Sequence, residues 1–135
     1  MKAGKSPDLE LFFAALADRT RLRLLNLMRD GEVCVCFFAE TLGTNNPKIS
    51  RHLAYLKRAS LVSGRRDGKW MHYSLQLPED RQASGILDAT LKMFDSDEEM
   101  LNDRKLLAAC ACSPNSPVMI KGRAKPLSTD LKSFR

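Results

Sequence analysis

At 135 residues, 44% apolar and 28% charged, the chain is long enough for one packed domain and too short for two. No apolar run approaches the roughly 18 residues of a membrane span, and the opening MKAGKSPDLE lacks a secretory apolar stretch, so a cytoplasmic protein with no membrane partner is expected. A formal charge of +6 and an isoelectric point near 9.4 favour a polyanionic partner.

Residues 1–7 read as a frayed start. Asp8 can cap a helix in which Leu9, Phe12, Phe13 and Leu16 form an apolar stripe. Asp18 can cap a second helix, Thr20 to Met28, apolar over most of its surface and closed by Gly31. A third, shorter helix is expected from Val33 to Leu42, stopping at Gly43. With Thr44-Asn45 as the turn, it forms a helix-turn-helix pair with the helix that follows.

That next helix opens with Asn46 as N-cap and Pro47 at the first helical position. Ile49, Leu53 and Leu56 make its apolar face, leaving Lys48, Ser50, Arg51, Ala54, Tyr55 and Arg58 on the flanks and back. Two strand-like runs then flank Asp67-Gly68, a strong hairpin signal, and in the second run Met71, Tyr73, Leu75 and Leu77 alternate with His72, Ser74 and Gln76, which predicts one buried side. From Asn45 to Leu77 seven basic side chains stand against Asp67 alone, a local excess equal to the charge of the whole chain. A helix followed by a hairpin with basic tips fits a winged helix on double-stranded DNA, with the helix in the major groove and the wing along the backbone.

After Pro78 the pattern returns to helix through Ile86, Leu87, Thr90, Leu91 and Phe94, then through Met100, Leu101, Leu106 and Leu107. A break is expected near Asp95–Ser96, where Ser96 and Glu99 resemble a capping box. From Ser113 the prolines and glycine predict a flexible basic tail. The expected organisation is a domain over 1–112 and a tail over 113–135. The fold class is mainly α with a small β-hairpin, a winged helix-turn-helix, made dimeric through the surplus apolar terminal helices.

The four cysteines form two Cys-x-Cys pairs, Cys34/Cys36 and Cys110/Cys112. The first pair falls at the start of the third helix, where the helix N-terminus favours thiolate, and soft thiolates select thiophilic ions. On an intact helix residues i and i+2 point about 200° apart, so one ion gripping both sulfurs has to unwind the first turn. The bland alternative is one buried core cysteine and one incidental neighbour. A structural zinc site wants four ligands, and His52 or His72 offers no standard spacing. Cys110 and Cys112, at the end of the last helix, supply a third sulfur if that end folds over the third helix of either subunit; otherwise they are spectators.

Four stretches together, Leu16–Leu22 (LADRTRL), Glu32–Cys36 (EVCVC), Pro47–Leu53 (PKISRHL) and Gly68–Tyr73 (GKWMHY), resemble the arsenic-responsive branch of the ArsR/SmtB winged-helix repressors, over about residues 10–77. The resemblance implies a homodimer on an inverted-repeat operator, released when As(III) or Sb(III) binds at the Cys-Val-Cys segment. Carried to matching positions, its DNA contacts are Ser50, Arg51 and His52 on the helix and Arg65, Arg66 and Lys69 on the wing; Lys48 and Tyr55 join them from the helical projection. Projection also sets His52 only about 60° from Ile49, so a packing role competes with a contact role. One departure matters: relatives carry a third cysteine where this chain has Ala39. Either two sulfurs suffice, or Cys110 or Cys112 completes the site.

A rival reading keeps the repressor but switches it by thiol oxidation. An enzyme is not expected. A small thiol enzyme such as an arsenate reductase needs an arginine six residues after its cysteine, and here those positions hold Glu40, Leu42, Ser116 and Val118, with no Cys-x-x-Cys pair. No organic cofactor is expected.

Overall fold

Short polar side chains set where the helices start: Asp8 accepts from the Leu11 backbone N–H, Asp18 from Arg21, Asn45 from Lys48 and Asp80 from Ala83. The computed structural model describes residues 8–112. In chain order these form α1 (Leu9–Leu16), α2 (Arg19–Leu27), β1 (Val33–Cys34), α3 (Val35–Leu42), α4 (Asn46–Arg58), β2 (Val62–Asp67), β3 (Trp70–Leu75), α5 (Arg81–Met93), a 3-10 turn (Phe94–Ser96) and α6 (Glu98–Cys112). The expected tail over 113–135 lies outside the described residues.

The helix-turn-helix is α3 and α4, closed by Gly43 at φ 67°, a left-handed position that favours glycine. Asn45 rather than Asn46 caps α4, because its side chain reaches the Lys48 N–H; Pro47 then sits at the second helical position, where its missing N–H costs no helical bond. Asp97 rather than Ser96 caps α6, accepting from Met100. α2 ends at Leu27, earlier than Gly31 suggested, because residues 28–31 continue as a turn with short-range bonds from Met28, Arg29 and Gly31.

The sheet has three antiparallel strands in the order β1-β3-β2. The expected hairpin is present with Gly68 and Lys69 between the strands; only Gly68 has positive φ, as a II′-type turn requires. The third strand is the correction. Val33 and Cys34 do not begin the helix but pair with Tyr73 and His72 of β3. That makes β3 a central strand, and it changes which of its residues are covered. Tyr73 and Leu75 pack on the core as the alternation predicts, Leu77 falls past the strand end and is exposed, and His72 is buried at 2% exposure opposite Cys34.

The core joins Phe12 of α1, Leu24, Leu25 and Leu27 of α2, Phe37 and Phe38 of α3, and Ile49, Leu53 and Leu56 of α4, with Leu61 and Leu87. Fully burying a Leu or Phe stabilises by about 1.5–3 kcal/mol, so the α4 face is held firmly while its other sides stay wet. α6 is fastened across α2 and α3. Arg23 grips Asp103, 1% exposed, through two bonds of 2.7 and 2.9 Å, Asn26 donates to the Met100 carbonyl, and Arg104 meets Asp30 at 2.7 Å.

Candidate nucleic-acid interface and thiol site

α4 presents Lys48, Ser50, Arg51, Ala54, Lys57 and Arg58 to solvent around its buried stripe. Arg66 and Lys69 are exposed at the wing tip, with Lys69 Nζ 5.4 Å from the Trp70 ring centre. Lys48, Ser50, Arg51, Arg66 and Lys69 thus stand free of the core on one helix and one hairpin, as a backbone-following reader of DNA needs.

The other three expected contacts are placed differently. His52 turns toward α2, with Nδ1 3.3 Å from Arg21 Nη1 and 3.8 Å from Asp18, and burial holds its pKa below the ordinary histidine range despite Asp18. Tyr55 is half-buried between two guanidinium groups, Arg21 at 4.2 Å and Arg58 at 4.9 Å from its ring centre. Arg21 also donates to the Ala14 and Ala15 carbonyls at 2.8 and 3.1 Å, so one side chain fastens the end of α1 to the back of α4. Arg65 is bound at both ends of its fork by Glu32, at 2.9 and 2.8 Å. Glu32 and Arg21 were not legible as site residues, since neither lies on the helix or the hairpin and only the fold brings them there.

The cysteine pair sits at the junction of β1 and α3. Cys34 is the N-cap residue of α3 with extended backbone (φ −72°, ψ 141°), while Cys36 lies inside the first turn. The two sulfurs therefore converge instead of diverging by a helical half-turn, and Cys36 Sγ donates to Cys34 Sγ at 3.3 Å. The expectation that gripping both must unwind the helix is corrected, because Cys34 was never wound into it. The Cys36 hydrogen bond, helped by the Val35 and Cys36 backbone N–H groups, outweighs burial and lowers the Cys34 pKa to about 7. Cys36, as the donor beside a thiolate, is pushed far up.

Opposite Cys34 in the ladder, His72 is buried with no hydrogen-bond partner at either ring nitrogen among the described residues. Cys110 reaches this part of the molecule in cis: α6 packs on α3, and Cys110 Sγ donates to Glu40 Oε1 at 3.3 Å. Burial and that carboxylate push its pKa up to about 12. The Cys112 side chain lies outside the described residues. Among the described residues no three His, Cys, Asp or Glu side chains are gathered to hold a metal ion. No described helix is long and apolar enough to cross a membrane.

Residues 18–63 match the model of the bacterial regulatory protein, arsR family. The chain is 43% identical over 111 residues to the arsenic resistance transcriptional regulator ArsR1 of Pseudomonas putida, covering 80% of this chain and 84% of that protein. This protein belongs to the arsR family. It is also 44% identical over 77 residues to the arsenical resistance operon repressor of Escherichia coli, covering 56% of this chain and 66% of that protein. Among solved structures it resembles the AntR antimony-specific transcriptional repressor, with a TM-score of 0.53 and 29% identity over 68% of this chain and 81% of that one. As a member of the arsR family the protein is a winged-helix, DNA-binding transcriptional repressor, not an enzyme. The family match ends at Ser63, so the Glu40 and β1 side of the thiol site falls inside it and the α6 side falls outside.

Proposed function

We propose that the protein represses transcription by holding operator DNA with α4 and the wing, and releases it when trivalent arsenic or antimony is captured by Cys34 and Cys36. The observation that carries this reading is the 3.3 Å separation of the two sulfurs. Bonds of about 2.3 Å, typical of metal–thiolate bonds, drawn to two sulfurs that far apart meet at roughly 90°. That is the corner of a pyramidal three-coordinate ion and narrower than the tetrahedral angle zinc prefers. The thiolate at Cys34 is poised near neutral pH for the first bond. The names of the P. putida, E. coli and AntR relatives support a metalloid as the inducer.

Coupling to DNA runs through the sheet in this reading. Cys34 is paired with His72 of β3, and Glu32, two residues before it, holds Arg65 of β2. A shift of residues 32–34 on capture therefore moves the wing directly, and the first turn of α3 carries the same shift toward α4.

The working form is a homodimer on an inverted repeat. Leu9 and Phe13 of α1, 62% and 49% exposed, join Ile86 of α5 around one apolar groove, which a second copy covers. Such a pair sets two α4 helices about one DNA turn apart.

The test is an operator mobility shift titrated with arsenite. The wild type lets go; Cys34→Ser and Cys36→Ser bind the operator and ignore arsenite. A Cys34→Ser protein that still releases on arsenite sinks the assignment. The same sulfur proximity also suits thiol oxidation, so a peroxide arm is included: release by peroxide, reversed by dithiothreitol, with arsenite inert, selects the oxidation reading instead.

A further inference from the structure

Two converging sulfurs leave a trivalent ion one bond short. Glu40 follows Cys36 by four residues on α3, so the two side chains are neighbours on one helix face. Cys110 of α6 lies against that face: its sulfur donates to Glu40 at 3.3 Å, its side chain packs on the core, and its charge is close enough to act on the ionisation of Cys36. We propose that Cys110 is the third sulfur ligand of the inducer site, delivered from the same chain by α6, with Glu40 as the latch that parks its thiol one helical turn away until capture. This rests on the metalloid reading above and adds the origin of the third ligand.

The chemistry balances without an oxidant. Arsenite as its trihydroxide meets three thiols, three As–O bonds break as three As–S bonds form, and each sulfur's proton leaves with a hydroxyl as water. Arsenic stays trivalent throughout. Cys110 surrenders its hydrogen bond to Glu40 and turns toward Cys36. Because α6 is anchored to α2 through Arg23–Asp103 and Asn26–Met100, the motion is confined to its last turns. A species with one arsenic–carbon bond has only two positions for sulfur and needs no help from α6. The site thus has a specificity element: Cys110 separates inorganic from mono-organic arsenic.

The experiment titrates the reduced full-length protein with arsenite and, in parallel, with phenylarsine oxide, counting thiols protected from a thiol reagent. Wild type is expected to lose three thiols to arsenite and two to phenylarsine oxide. Cys110→Ser and Cys110→Ala lose two to each, with arsenite binding weakened by at least about tenfold. Phenylarsine oxide binding stays within about twofold, which also reports that the site is folded. Cys112→Ser behaves as wild type. Unchanged arsenite affinity in both Cys110 variants overturns the proposal, as does a Cys112→Ser protein that loses the third thiol instead. If Cys34→Ser binds both probes as well as wild type, the metalloid reading of the pair fails; if it binds neither while Cys110→Ser is normal, only the third ligand is wrong.

Discussion

The two wing arginines are adjacent in sequence and opposite in circumstance, and that difference can be measured. Each phosphate contact contributes about 0.9 to the slope of log K against log salt, so between about 50 and 200 mM salt a single contact changes affinity by roughly 3.5-fold and one in each subunit of a dimer by about 12-fold. Arg66 is exposed at the wing tip, whereas both ends of the Arg65 fork are held by Glu32 at 2.8 and 2.9 Å. A phosphate bidding for Arg65 must displace a carboxylate that already matches the guanidinium geometry. Arg66→Ala should therefore flatten the salt slope by about 0.9 per subunit, and Arg65→Ala by less than about 0.3. Glu32→Gln, which weakens the grip on Arg65, should steepen the slope by up to about 0.9. Fluorescence anisotropy with a labelled operator across a salt series reads all three. Equal losses in the two alanine variants would mean that DNA pulls Arg65 from Glu32, refuting the division of labour.

Arg23→Ala strands the Asp103 carboxylate at 1% exposure and should cost about 3 kcal/mol or more in urea unfolding. Gly64→Ala sets a Cβ 3.0 Å from the Tyr73 ring and 3.2 Å from the Met71 methyl, so both side chains must shift and stability should fall by about 1 kcal/mol in thermal unfolding. The Cys34 thiol, depressed to about 7 chiefly by the Cys36 hydrogen bond, ionises as pH rises through that value; thiolate absorbance should show the step, and Cys36→Ala should move it up toward about 8.5. A midpoint that Cys36→Ala leaves in place would mean another group sets it.

Local chemistry made the helices and hairpin readable in advance. Asp8, Asp18 and Gly43 act within a turn of themselves, and the Ile49–Leu53–Leu56 stripe repeats inside one helix. The thiol site depended on distance in sequence. Nothing near Cys34 announces a two-residue strand, because its partners Tyr73 and His72 come from the far side of the helix-turn-helix. Helix periodicity therefore pushed the two sulfurs apart when the ladder brings them together. The same blindness hid Glu32 from Arg65, Arg21 from Tyr55 and Cys110 from Glu40, and it assigned His72 to solvent. For His52 the projected angle from Ile49 left packing and DNA contact in competition, and the fold turns its ring toward Arg21.

Sharing one ladder between Val33–Cys34 and Tyr73–His72 has a consequence for how such a protein can be altered. The hairpin is not an exchangeable accessory. Grafting a hairpin from another regulator to retarget the molecule would also replace the floor beneath Cys34, and retuning the pocket would tilt the hairpin. On the proposed function, inducer capture and DNA reading are therefore inherited as one piece, and variants that change either should be sought as compensating pairs across that ladder.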